Sequence, residues 1–203
     1  EQVGLSSEFA ILDEEECIAI LDELQVPDAK SEIYVMAGEA ADVPSREATV
    51  EGWMSGSFSK RPWARAYLRA LGDREAVDFS GLVLLTRALL TREEARKRWA
   101  SRFDAMLVDE VQDTHMSEYE VIRSLASETK SLCLVGDLDQ TIYGWRGSRP
   151  DQLLTALERD FAPVQRLHLT ANFRSTRRII ELANRLAQRM PERTTVAAPH
   201  PSL

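Results

Sequence analysis

Cysteine and histidine are scarce in this chain of 203 residues, which holds two of the first and three of the second. Cys17 and Cys133 cannot build a disulfide framework, and their aliphatic neighbours predict two small buried hydrophobes. His115, His168 and His200 are scattered, and none has a partner at zinc spacing. Apolar runs are short: Leu82-Val83-Leu84-Leu85 falls far below the length that spans a bilayer. Neither end reads as a signal peptide, so a soluble cytoplasmic protein is expected. Positive charge is outweighed, with 25 Lys and Arg against 33 Asp and Glu and a net charge of −8. That balance disfavours a protein coated in nucleic acid, although a basic groove can sit on an acidic body. What is present is an ordinary globular mixture, 44% hydrophobic and 29% charged, enough for one large or two small domains.

Residues 9 to 25 carry apolar positions at helical spacing (Ile11, Ile18, Leu21, Leu24), with Asp13 as a cap before Glu14, Glu15 and Glu16. From Pro27 to Pro62 the chain is punctuated by Gly38, Pro44, Gly52, Gly56 and serines, which predicts loops with at most short helices. Helical spacing returns over 63–71 and 79–90, followed by a charged helix over 92–102. Beyond 103 the pattern changes. Short apolar runs at 105–108 and 132–135 read as buried strands, and a third strand is expected near Val164 to Leu169. Helices over 117–127, 150–161 and 176–188 alternate with them. Strands alternating with helices of that length imply crossovers and one parallel sheet, whose ligands bind beyond the carboxyl ends of the strands.

Each of the three strands ends in a polar cluster. The first is Asp109-Glu110-Val111-Gln112-Asp113. Adjacent carboxylates leaving a buried strand suit a cation or a proton in transit, with Asp109 as a Mg²⁺ ligand and Glu110 as a base toward water. Acids that simply cap a helix are an equally open reading. The second runs from Val135-Gly136-Asp137 through Gln140 to Tyr143, Trp145 and Arg146. Tyr143 and Trp145 beside Arg146, in a loop with Gly144 and Gly147, could stack nucleobases at roughly 1–3 kcal/mol per base; the alternative is a pair of core aromatics. The third is Thr170-Ala171-Asn172-Phe173-Arg174-Ser175-Thr176, in which Ser175 or Thr176 caps a helix and Arg174 either reaches a phosphate or is an ordinary surface residue.

Taken in order, Asp-Glu-Val-Gln-Asp, then Val-Gly-Asp-Leu-Asp-Gln-Thr-Ile-Tyr-Gly-Trp-Arg-Gly-Ser, then Asn-Phe-Arg-Ser-Thr, the chain resembles the UvrD/Rep/PcrA family of superfamily 1 DNA helicases across helicase motifs II, III and IV. The likeness is specific from about Phe103 to Gln188. Upstream, Val77-Asp78-Phe79-Ser80-Gly81-Leu82 and Phe9-Ala10-Ile11-Leu12-Asp13 look like further family segments. The resemblance implies an α/β protein: an incomplete RecA-like parallel sheet with flanking helices, of P-loop NTPase type, plus a small, mainly helical inserted subdomain. It implies a first motor segment ending at 13, the insert over 14–78, the first motor domain over 79–162, the start of the second over 163–190, and a tail over 191–203. It also implies ATP and Mg²⁺ as cofactors and single-stranded DNA as partner, worked on by a 3′-to-5′ helicase. Asp109 matches the metal-binding carboxylate and Glu110 the catalytic one. Gln140 matches the γ-phosphate-sensing glutamine and Arg174 the arginine that reaches across from the second motor domain. Tyr143, Trp145 and Arg146 match the strand-contacting segment. Gln112 and Asp113 match residues that link nucleotide state to the rest of the motor.

The sequence departs from that family in one decisive respect. Its phosphate loop, Gly-x-x-x-x-Gly-Lys-Ser/Thr, is missing, since no glycine here is followed by lysine. The chain is therefore expected to be a fragment that opens beyond that loop, needs the missing motor segments of the same protein, and is inactive alone. A naturally truncated homologue serving as a non-catalytic DNA- or protein-binding module is the alternative.

Overall fold

The computed structural model describes residues 3, 5–44, 49–141, 150–187 and 198–199. It divides into a unit of Glu1–Asp160 and a unit of Phe161–Leu203.

The first unit opens with β1 (Ala10–Ile11), so Ile11 belongs to a strand and not to the helix expected over 9–25. Helix α1 (Glu14–Glu23) then starts at a full capping box. The Asp13 carboxylate accepts from the Glu16 amide at 2.9 Å, and the Glu16 carboxylate accepts from the Asp13 amide at 2.9 Å, which satisfies two amides that the helix cannot. Where loops with at most short helices were expected, the chain forms the 13-residue α2 (Ala29–Ala41) beside the short α3 (Val50–Ser55). Ala29, Ile33, Met36 and Ala40 lie on one buried stripe of α2, and their packing outweighs the mid-helix cost of Gly38. Thr49 caps α3, accepting from the Gly52 amide at 2.9 Å, and Gly56 ends it in the left-handed region at φ 68°, where a side chain would be strained.

Helix α4 (Ala64–Asp73) buries Tyr67, Leu68 and Leu71. It leads into β2 (Ala76–Val77), which pairs parallel with β1. Asp78 then caps α5 (Phe79–Leu90), accepting from the Gly81 amide at 2.7 Å and from the Tyr67 hydroxyl at 3.0 Å. Burial holds the Asp78 carboxyl above its ordinary value, against those hydrogen bonds. Gly81 is required there because a Cβ would sit 2.8 Å from Cη2 of the Trp53 ring. One apolar core joins these elements, from Cys17 through Met36, Trp53, Tyr67 and Leu71 to Leu85.

Helix α6 (Glu93–Ala100) precedes a strand–helix–strand segment: β3 (Ala105–Val108), α7 (Met116–Leu125) and β4 (Ser131–Leu134). The strands pair in parallel, Ala105 opposite Ser131 through Val108 opposite Leu134. Contrary to expectation, neither strand is buried. Leu107 is 76% exposed, and its register partner Cys133 is exposed as well. Period-two alternation places both on an uncovered face, so only Cys17 fits the reading of two buried thiols. Helix α8 (Pro150–Phe161) follows the expected range. Arg87 on α5 binds this segment to the helical core. Its Nε and Nη2 donate to Glu120 of α7 at 2.9 and 2.6 Å, and Nη2 also donates to the Val43 carbonyl at 2.8 Å.

In the second unit the strand expected near Val164 to Leu169 does not form: that stretch has no regular structure, and Leu167 and Leu169 are 78% and 91% exposed. The strand instead is β5 (Ala171–Asn172), parallel to β6 (Ala198–Pro199), with α9 (Arg177–Ala187) between them. Among the described residues the strands thus make three separate two-stranded parallel sheets and not the single sheet that their alternation with helices suggested.

Candidate functional site

Two polar strand tips meet in the first unit. Val135 donates its amide to the Val108 carbonyl at 2.8 Å, and Val111 donates to the Val135 carbonyl at 3.0 Å. The turn after β3 is thereby drawn onto the end of β4. Asp109 stands exposed at the tip, its Oδ1 accepting from the Glu110 amide at 2.9 Å. Glu110 occupies the left-handed region at φ 52°, ψ 39°, a conformation that costs a non-glycine residue roughly 1 kcal/mol or more and recurs where side chains are aimed for function. Its carboxylate makes no capping bond to the 3₁₀ turn Val111–Asp113.

Gln112 is the buried member of the cluster, 1% exposed. Its Nε2 donates to Glu110 Oε2 at 2.6 Å, and its Oε1 accepts from the Asp137 amide at 3.1 Å. Asp137 in turn uses Oδ1 to accept from the Asp139 amide at 3.1 Å and Oδ2 to accept from Gln140 Nε2 at 2.9 Å. A continuous hydrogen-bonded path therefore runs from the Glu110 carboxylate through Gln112 and Asp137 to the Gln140 side chain. Gly136 makes the close approach possible, because a Cβ there would fall 2.6 Å from Gln112 Oε1 and 2.8 Å from Val111 Cγ1. Sequence reasoning named Glu110, Gln112 and Gln140 but gave no role to Gly136 or Asp137. The available signal was a Gly-Asp pair at a strand end, where only glycine lets another chain come so close.

Asp113 keeps one carboxylate oxygen, Oδ1, buried with no hydrogen-bond partner among the described residues. Arg174 belongs to the second unit. There the Asn172 side chain accepts from the Arg174 and Ser175 amides at 3.0 and 2.8 Å and leaves Arg174 exposed just before α9. Tyr143, Trp145 and Arg146 lie outside the described residues. No three described His, Cys, Asp or Glu residues converge as a metal cage. Mg²⁺ does not need one: it takes one or two carboxylates and fills the remaining positions with water and phosphate oxygens, and the exposed Asp109 beside Glu110 suits that donor set.

Comparison with known proteins gives this strand pair and the helices around it a family. The description "UvrD/REP helicase N-terminal domain" fits residues 1–162, and the chain belongs to that family. It is 34% identical over 198 residues to the ATP-dependent DNA helicase Rep of Salmonella typhimurium, which covers 93% of this chain and 29% of that protein. It is 39% identical over 128 residues to the ATP-dependent DNA helicase PcrA of Staphylococcus aureus, which covers 63% of this chain and 17% of that protein. The chain thus spans under a third of the length of these relatives. No described helix is long and apolar enough to cross a membrane.

Proposed function

We propose that this chain is the nucleotide-sensing and strand-gripping part of an ATP-dependent 3′-to-5′ DNA helicase motor that moves along single-stranded DNA in the cytoplasm. The observation that carries the reading is the path Glu110–Gln112–Asp137–Gln140. In a motor, the group that acts on the attacking water and the group that senses the γ-phosphate must respond to one another, and a rigid, buried amide between them does that.

In this reading Asp109 holds Mg²⁺ and Glu110 orients or deprotonates water. Gln140 reports the γ-phosphate, and Arg174 reaches the phosphate from the second unit. Gln112 and Asp113 couple these groups to the scaffold, and Tyr143, Trp145 and Arg146 hold single-stranded DNA. Magnesium, once bound with ATP, neutralises phosphate charge; the chain's own residues position water and transmit the change. The segment bounds follow the family pattern: the insert over 14–78, a RecA-like first motor domain over 79–162, and the second motor domain from 163. The relatives' names, ATP-dependent DNA helicases Rep and PcrA, support the activity. Because no glycine precedes a lysine anywhere in the chain, a phosphate loop must come from further motor segments, and the isolated chain is inactive.

Oligothymidine titration followed by tryptophan fluorescence tests the reading. Binding that weakens steeply with salt, and that Trp145→Ala abolishes, is the expected result. Turnover of ATP by the isolated chain, or indifference to oligothymidine, would overturn it.

A further inference from the structure

The stretch from Arg92 to Arg102 holds five Lys and Arg against two Glu, on a chain whose net charge is −8, and the proposed chemistry uses none of it. Ala95 and Ala100 bury the inner side of α6, while Trp99 and Phe103 each stay 39% exposed. The Arg102 amide donates to the Trp99 carbonyl and the Phe103 amide to the Ala100 carbonyl, both at 3.2 Å, which winds the chain through one more tight turn beyond α6. Residues four apart share a helix face, so Trp99 and Phe103 form one row and Arg98 and Arg102 the next. The Arg102 guanidinium sits over the Trp99 ring, 4.5 Å from its centroid.

Nearby cations are already engaged, Lys97 by Glu93 at 2.6 Å and Lys130 by Asp104 at 2.8 Å. Arg98 and Arg102 are exposed and make no ion pair among the described residues. A guanidinium held over a ring has given up part of its side-chain freedom in advance, yet it keeps all its N–H donors, which fit a carboxylate two at a time. Two half-open aromatic rings beside two uncommitted guanidiniums therefore suit a ligand that is acidic and apolar at once.

We propose that this face docks a short acidic peptide of a partner protein: its carboxylates bind Arg98 and Arg102, and an apolar side chain seats against Trp99 and Phe103. A nucleic-acid strand fits less well. Glu93, Glu94 and Asp104 stand exposed along the same stretch and repel closely repeated phosphates, whereas a peptide with its acids in one place meets the two arginines alone. The face lies at the amino end of β3 and Asp109 follows the carboxyl end, so the strand, about 13 Å long for its four residues, keeps a docked peptide off the acidic tip. The inference does not depend on the motor reading.

The test uses the intact protein that contains this chain, titrated by fluorescence anisotropy with a fluorescein-labelled peptide of glutamates around a central phenylalanine. Binding is expected, weakened about tenfold or more by Arg98→Glu and by Arg102→Gln, the loss of a charge-assisted bond. Both side chains are exposed, so neither substitution disturbs the core. Glutamine in place of the glutamates should abolish binding, and serine in place of the phenylalanine should weaken it. Absence of binding, equal binding by both variants, or equal binding of the serine peptide overturns the proposal. So does oligothymidine that displaces the peptide from the wild-type protein and loses affinity in Arg98→Glu, because the face then belongs to nucleic acid.

Discussion

Replacing Gln112 tests the path between the two strand tips, because two substitutions of similar size separate its physics. Gln112→Met keeps the volume but removes both polar contacts. The bond to Glu110 is charge-assisted and worth about 1.5–3 kcal/mol when wholly lost, yet Glu110 is exposed and water takes over part of it. The Asp137 amide, half-buried, loses its acceptor at a cost of about 1 kcal/mol or more. Methionine returns part of this as apolar burial, leaving a net loss near 1–2 kcal/mol. Gln112→Glu keeps an acceptor for Asp137 but sets a carboxylate where Nε2 lies 2.6 Å from Glu110 Oε2 and 3.5 Å from Asp113 Oδ2. At an effective dielectric of about 20, like charges near 4 Å repel by about 4 kcal/mol. The near-isostere should therefore be the more damaging change, by about 2 kcal/mol. Urea unfolding of the chain measures both. Repulsion of this kind raises the folded pKa of the introduced carboxyl, so stability is lost as pH rises and regained as pH falls into the carboxylate range. The excess damage of Gln112→Glu should accordingly shrink toward pH of about 4. Should Gln112→Glu prove no worse than Gln112→Met, or its excess survive acidification, the described hydrogen bonds do not govern the site.

Three further outcomes follow from the same structure. Gly136→Ala forces Gln112 and Val111 to move, so it should cost about 1–3 kcal/mol in urea unfolding and speed exchange of the Asp137 amide. Arg87→Leu removes the guanidinium that holds the Glu120 carboxylate and the Val43 carbonyl; breaking a buried pair costs about 3–5 kcal/mol, and because the Glu120 side chain is 23% exposed the loss should fall at or below the lower figure, again by urea unfolding. A thiol reagent at pH near 8 should titrate one thiol of the native chain and two of the unfolded one, since Cys133 is exposed while burial pushes the Cys17 thiol up to about 11, against a lowering hydrogen bond from Tyr67. Two fast native thiols would mean that α1 does not seal against α4 and α5.

Local order decided much of this protein in advance. Asp13 before three glutamates determined the start of α1, and the apolar spacing of 79–90 determined α5, because caps and periodicity act within a few residues of one another. The polar words at 109–113 and 135–140 were legible for the same reason. Tertiary structure decided what depends on partners far along the chain. Helix α2 forms despite Gly38 because Ile33 and Met36 find a core built from α1, α4 and α5. Cys133 is exposed because nothing described covers that face of the β3–β4 pair. The joining of Glu110 to Gln140 required Gly136 to admit Gln112, an approach between residues on different strands that no local rule contains, since a hydrogen bond depends on distance in space and not on separation along the chain.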